Sequence, residues 1–242
     1  MSVLLSHLLW CVRGSVLVHR CWYTQDAVQK YGRASNATIP YFISDLRAMI
    51  NGKGNHPSII QWETFNEHDC WYVFKAHPNT VADIVALAKA TDWQGRPVDT
   101  DSGGGANKDN VGDVFDLHQY PWPRTIAPTA TRYAMIGEFG GVGYFVPGKE
   151  WVPNKCHTYL KASTAAKEAS LYVQMAEKMV TMQHTEGLSA SIYTQITDVE
   201  LECDGYLNYD RSTKFTWEQT AAIRAANLKL IASAPTTMGG GQ

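Results

Sequence analysis

The sequence carries no excess of charge of either sign. Its formal net charge is −2 over 242 residues, so nothing electrostatic favours nucleic acid or an anionic membrane as a partner. No apolar run reaches the roughly 18 residues that a membrane span requires. Residues 3–18 come nearest, but His7 and Arg13 interrupt them and no basic leader precedes them. They read as buried sequence or as a boundary artefact, with a signal peptide as the lesser alternative. The cysteines, Cys11, Cys21, Cys70, Cys156 and Cys203, are odd in number and include no C-x-x-C pair. Neither a disulfide framework nor a zinc site is expected, and the thiols are expected to be mostly reduced. His68, His77, His118 and His184 do not form H-E-x-x-H or a similar spacing, so no metal and no cofactor is expected. The glycine-rich run Asp101–Ala106 lacks the Lys-Ser/Thr ending of a phosphate-binding loop.

What is present is a core and a large set of aromatics. Hydrophobic residues make up 45%, enough for one large α/β domain or two small ones, and no composition break divides the chain. The 8 Trp and 12 Tyr divide between core and a surface suited to flat apolar faces such as sugar rings. Residues 15–22 read as a strand. Residues 38–51 read as a helix, with Phe42, Leu46, Met49 and Ile50 on one face. Asn55–Asp69 opens on a His-Pro turn, continues through Ile59, Ile60 and Trp62, and reads as a buried strand running to Asn66-Glu67. A helix from Pro78 to about Thr91 follows, then short strands at 96–100, 113–120 and 133–136. A long helix spans about 163–184, a strand 188–194, and a last helix 217–231 before a frayed tail. Strands that alternate with helices or long loops imply parallel βαβ units. About six strands suggest either long loops or a barrel missing its beginning.

The ends of these strands carry the polar residues. They are Asn66-Glu67, His118-Gln119-Tyr120, Glu138 within G-E-F-G-G, and Tyr193-Thr194-Gln195 with Asp198. Two carboxylates, Glu67 and Glu138, on one face fit glycoside hydrolysis, in which one is protonated and the other ionised. Asn66 is placed to hydrogen-bond a sugar hydroxyl, and Tyr120 to orient the nucleophile. His118 suits either a sugar hydroxyl or structural hydrogen bonding. Trp122, in P-W-P after a strand end, is the best stacking candidate; Trp62 reads as core, and Trp71 and Trp151 are further candidates. Glu63 shares the strand parity of Glu67 but sits mid-strand, where it needs a buried partner.

These residues resemble glycoside hydrolase family 2, the β-galactosidase and β-glucuronidase group. N-H-P-S-I-I-Q-W-E-T-F-N-E (Asn55–Glu67) is similar to its acid/base motif, and M-I-G-E-F-G-G (Met135–Gly141) to its nucleophile strand. D-V-F-D-L-H-Q-Y-P resembles its sixth strand, and Y-T-Q-I-T-D-V-E with G-Y-L-N-Y-D-R its last strand and following loop. The resemblance runs from about Ile39 to Ile231. It implies a (β/α)8 TIM barrel, here incomplete, with its first two strands lacking, and a retaining double displacement. Glu67 is then the acid/base and Glu138 the nucleophile, about 5–5.5 Å apart, with Asn66 beside the scissile bond. His118, Tyr120, Trp122, Tyr193 and Gln195 fall in the sugar pocket. Residues 1–38 match poorly, 39–231 form the glycosidase-type portion, and 232–242 a flexible tail. The expectation is therefore the C-terminal part of a longer enzyme, acting on a carbohydrate and self-associating through open sheet edges.

Overall fold

The structure, a computed structural model, describes residues 17–20, 39–67, 81–104 and 110–234. The start of the helix expected at Pro78, Trp71, His68, His77 and the tail beyond residue 234 lie outside them. In chain order the elements are β1 (Leu17–Arg20), α1 (Ile39–Lys53), β2 (Ile59–Glu63), α2 (Val81–Thr91), β3 (Val98–Asp99), β4 (Val114–Gln119) and β5 (Tyr133–Gly140). Then come β6 (Val142–Gly143), β7 (Leu160–Lys161), α3 (Ala165–Thr185), β8 (Leu188–Thr194) and α4 (Trp217–Ala232).

The parallel pairing expected from the alternation is present, but the barrel is not. Among the described residues the strands form two separate three-stranded parallel sheets, β1-β2-β3 and β4-β5-β8, plus the pair β6-β7. The expectation of a (β/α)8 barrel lacking only its first strands is thereby corrected. The break falls between β3 and β4, and its cause is local. β3 is only two residues long, and the Asp113 carboxylate accepts from the Val98 N–H at 2.8 Å while its own N–H donates to the Val98 carbonyl at 2.9 Å. A side chain therefore takes the place that a neighbouring strand's carbonyl would fill, and the ladder stops there.

β2 is shorter than expected, ending at Glu63. Its backbone bonds nevertheless continue, from Thr64 N–H to the Asp99 carbonyl (3.0 Å), from Ser102 N–H to Phe65 (2.9 Å) and from Glu67 N–H to Ser102 (2.9 Å). Glu67 is thus tied to the segment after β3. β5 runs longer than expected, so that Glu138 lies inside it.

Each sheet is covered by helices through an apolar stripe. Phe42, Leu46 and Ile50 of α1 and Ile84, Val85 and Ala88 of α2 pack on Ile59, Trp62 and Val98. Met175, Met179 and Met182 of α3 and Ile223 and Ala226 of α4 pack on Ile136, Phe139 and Leu188. The long helices begin where side chains satisfy their free N–H groups. Thr164 accepts from Lys167 N–H, and Thr216 with Gln219 forms a reciprocal capping box.

The expectation of reduced thiols is overturned for two of the five cysteines. Cys156 and Cys203 form a disulfide with Cα atoms 5.5 Å apart. No local motif announces it, because the sequence separation is 47. The fold brings the two together through His157 N–H on the Leu201 carbonyl (2.8 Å) and Cys203 N–H on the His157 carbonyl (3.0 Å). Closing a loop of that length stabilises by about 4 kcal/mol on the chain-entropy account.

Behind this loop lies Glu168, on the buried side of α3. One of its oxygens accepts from the Tyr144 N–H at 2.9 Å, and the other has no partner among the described residues. Burial pushes its pKa up to about 8 from 4.5, against the lowering effect of the Lys214 charge. An acid whose folded pKa is raised binds more protons folded than unfolded, so stability falls as pH rises between about 4.5 and 8 and levels off above. The Glu168→Gln substitution should remove a fall on the order of 3–5 kcal/mol. We expect the variant to gain melting temperature over wild type at pH 9 and much less at pH 5. A difference that does not change with pH would contradict the assignment.

Candidate active site

The residues around Glu67 and Glu138 are set by a defect in one ladder. β4 and β5 pair in step from Val114–Tyr133 to Leu117–Ile136, and then His118 pairs with Glu138. Gly137 is the extra residue of this bulge, and its N–H, turned out of the ladder, donates to the Asp116 carboxylate at 2.5 Å. Only glycine fits there, since a Cβ at 137 would stand 2.1 Å from Asp116 Oδ2 and 2.5 Å from Ser102 Oγ. The slip turns the side chains of His118 and Glu138 to the same side.

A line of hydrogen bonds then runs through the site. Ser102 donates to Asp116 Oδ2 at 2.6 Å, and His118 Nε2 lies 2.7 Å from the same Ser102 oxygen. With the serine proton directed at Asp116, Nε2 is the donor to Ser102. The other ring nitrogen, Nδ1, is 2.8 Å from Glu67 Oε1 and 3.3 Å from Glu138 Oε2. It stands between two carboxyl groups, one side chain half exposed (Glu67, 46%) and one nearly buried (Glu138, 11%). Glu67 itself is in the left-handed region at φ 53. That conformation is costly for a side chain with a Cβ and persists where surrounding bonds over-determine it, a pattern that concentrates at functional sites.

Glu138 has a further donor. Tyr120 donates its hydroxyl to Oε2 at 2.6 Å, and Thr194 Oγ1 donates in turn to the Tyr120 oxygen at 2.7 Å. Burial, and next the charge of Glu138, push the Tyr120 pKa far up, so it stays a neutral donor. Its ring stacks almost parallel on Tyr159 at 3.8 Å.

The sequence-predicted residues divide. Glu67, His118, Tyr120 and Glu138 meet. Asn66 is buried beside them, bridged to Ser102, and its Oδ1 has no partner among the described residues. Trp122 is 37% exposed in the loop after β4, whereas Trp62 is fully buried core. Tyr193 is turned into an aromatic cluster, stacked on Tyr206 at 4.7 Å, with its hydroxyl donating to the Val142 carbonyl at 3.2 Å. Gln195 is buried and donates to Asp204 at 2.9 Å and Glu202 at 3.4 Å. Asp198 pairs with Lys214 at 2.7 Å. Ser102, Asp116 and Tyr159 were not foreseen, and Thr194 was read only as part of the strand end Tyr193-Thr194-Gln195. Asp116 left a signal, a carboxylate in the buried phase of β4, and Ser102 left none within its glycine run.

Glu67, His118 and Glu138 each offer one donor atom, all within 4.8 Å of one another. Two ligands on a tetrahedral zinc would stand about 3.3 Å apart, given bonds of roughly 2.0–2.1 Å. The 2.8 Å contact from His118 to Glu67 is shorter and suits a shared proton better than a metal.

The bulge yields a stability test. Gly137→Ala should cost about 1–3 kcal/mol, because Asp116 has to leave its two donors. Equilibrium urea unfolding reads this as a lower midpoint; an unchanged midpoint would show that Asp116 has another place to go.

No protein-family model matches the sequence. No curated protein matches it either. Solved structures do. The β-D-glucuronidase of Dictyoglomus thermophilum aligns over 83% of this chain and 36% of its own, at TM-score 0.54 and 15% identity. A β-glucuronidase of Bacteroides uniformis aligns over 84% of this chain and 27% of its own, at TM-score 0.52 and 15% identity. A GH2 β-galacturonidase of Eisenbergiella tayi, bound to glycerol, aligns over 83% and 39%, at TM-score 0.51 and 19% identity. The chain thus spans well under half the length of each, and at these identities the likeness is one of fold, shared with part of glycosidases of the GH2 type.

Proposed function

We propose that this chain is a glycosidase domain that cleaves O-glycosidic bonds with retention, using Glu138 as nucleophile and Glu67 as acid/base. The observation that carries the reading is the pair itself. One carboxyl oxygen of each lies within 4.8 Å of the other. Retaining enzymes hold their carboxyl groups about 5–5.5 Å apart, and inverting ones about 6.5–9.5 Å to admit a water. The fold shared with GH2-type structures supports it. Galacturonate, bound by a GH2 β-galacturonidase aligned at TM-score 0.50, supports a carbohydrate as the ligand class.

The geometry divides the work. Glu138, ionised and oriented by Tyr120, attacks the anomeric carbon. The proton shared by Glu67 and His118 passes to the departing oxygen, and Glu67 then takes a proton from the incoming water. The water oxygen displaces Glu138 from the anomeric carbon, and the proton left on Glu67 is the one it again shares with His118, so the cycle closes. Asn66 is assigned to a sugar hydroxyl by its place next to Glu67, and Trp122, 37% exposed, to the sugar ring.

Against a panel of aryl glycosides, Glu138→Gln should abolish turnover. Glu67→Gln should lose about 10²–10⁴-fold, with the smaller loss on substrates whose phenol leaves without protonation. Tyr120→Phe should lose about 10–150-fold, the value of one hydrogen bond to a charged acceptor. Turnover that survives both glutamate changes would refute the assignment. The outer edges of β1 and β8, which pair with no further strand among the described residues, favour a second reading, a non-catalytic carbohydrate-binding domain that pairs with a second copy. Calorimetric sugar binding without hydrolysis, with light scattering that rises with concentration, would favour that one.

A further inference from the structure

The glycine run Asp101–Ala106 has no part in the chemistry assigned so far, yet its described part forms a seat for the His118 ring. Gly103 stands in the left-handed region at φ 67, and a Cβ there would lie 2.2 Å from His118 Cγ. The bare backbone at 103 thus lets the ring lie against the turn, which Gly104 N–H closes on the Asp101 carbonyl at 2.9 Å. Ser102 acts at two places in the site. Its carbonyl accepts from Glu67 N–H at 2.9 Å, and its hydroxyl oxygen is 2.7 Å from His118 Nε2. The seat therefore sets Glu67 and the imidazole against each other.

The polarity of these bonds begins at the bulge. Gly137 N–H donates to Asp116 Oδ1, and the other carboxylate oxygen, Oδ2, accepts the Ser102 proton at 2.6 Å. The serine oxygen is then an acceptor toward His118, so Nε2 carries the ring proton and the Nδ1 of a neutral ring is bare. Nδ1 lies 2.8 Å from Glu67 Oε1 and 3.3 Å from Glu138 Oε2. A bare nitrogen and a carboxylate oxygen are both acceptors, and only a further proton joins them.

We propose that Asp116, acting through Ser102, is a positioning residue that fixes His118 as the Nε2–H tautomer and so holds a proton between Nδ1 and Glu67. The inference rests on the glycosidase reading above and says what keeps its acid loaded. A neutral ring with its proton on Nδ1 would donate to an ionised Glu67, and the departing oxygen would find no proton there. The titratable groups around the ring are Glu67 and Glu138 beside Nδ1, Asp116 beyond Ser102, and the buried Asp101 in the turn. Tyr120 and Tyr159 lie beyond Glu138, and burial first, with the glutamate charges next, pushes both up, so they stay neutral.

Asp116→Asn tests this with little change of shape. Its carbonyl takes the Gly137 N–H, so its amide nitrogen faces the serine and donates to it. The serine proton then turns to Nε2, and the ring proton moves to Nδ1. In 15N-histidine spectra above the pH at which the ring becomes neutral, with His118 assigned from His118→Gln, wild type should carry the proton on Nε2 and Asp116→Asn on Nδ1. Ser102→Thr keeps the hydroxyl and should keep the proton on Nε2, whereas Ser102→Ala should not. For aryl glycosides of weakly acidic phenols, kcat/KM of Asp116→Asn should fall about 10²–10⁴-fold, and its basic limb should move to lower pH. Dinitrophenyl glycosides, whose phenol leaves without protonation, should lose far less. A neutral wild-type ring protonated on Nδ1, an Asp116→Asn ring still protonated on Nε2, or an equal loss on both substrates would overturn the inference and leave the catalytic reading standing. A tautomer that inverts as expected in a chain that hydrolyses no glycoside supports the inference, and in that case only the catalytic reading falls.

Discussion

The hydrogen-bonded line from Asp116 through Ser102 to His118 is what the site depends on. It joins the two sheets where their strand ladder fails. Ser102 belongs to the segment bonded to Asn66 and Glu67, whereas Asp116 and His118 belong to β4. Every polar atom along it is removed from water, where an unmade hydrogen bond costs about 1–3 kcal/mol. The line therefore fixes the orientation of the imidazole and, through Nδ1, the distance between the two glutamates. A hydrogen-bonded closure of the sheets is not needed to bring Glu67 to Glu138, because side chains make the connection instead.

The rim is fastened in a different way. A Cβ at Gly141 would stand 2.4 Å from the Tyr159 ring, so glycine there lets that ring lie over Tyr120. The Cys156–Cys203 bridge then ties the loop carrying Tyr159 to the loop carrying Glu202 and Asp204. Both loops border the same carboxyl groups. The packed side behind them is aromatic, with Tyr193 and Tyr206 stacked and Tyr172 edge-on to each. Electrostatics and packing are coupled here: the burial that holds the rim in place also raises the pKa values of Glu168 and Asp204.

Much of this was legible in the residues. Helix stripes such as Phe42, Leu46 and Ile50 mark a buried face by their spacing alone, and β8 falls on the strand read at 188–194. Glu67 and Glu138 stand out because each follows or interrupts an apolar run. The barrel expectation came from the strand count together with the resemblance, and it failed at Asp113, whose side-chain bond to Val98 no periodicity discloses. Tyr193 and Gln195 were read by their position at a strand end. Alternation says which side of a sheet a residue faces, but not which neighbour engages it. The disulfide joins cysteines that only the loop-to-loop pairing of His157 with Leu201 brings together.

The most direct test of the central claim is to trap the covalent intermediate. A 2-deoxy-2-fluoro aryl glycoside slows both steps of a double displacement, and the second step more when the leaving group is activated. Incubation followed by proteolysis and mass spectrometry should place the sugar on Glu138, and Glu138→Gln should carry none. A label on another residue, or a fully unmodified chain under conditions where the substrate is consumed, would contradict the account.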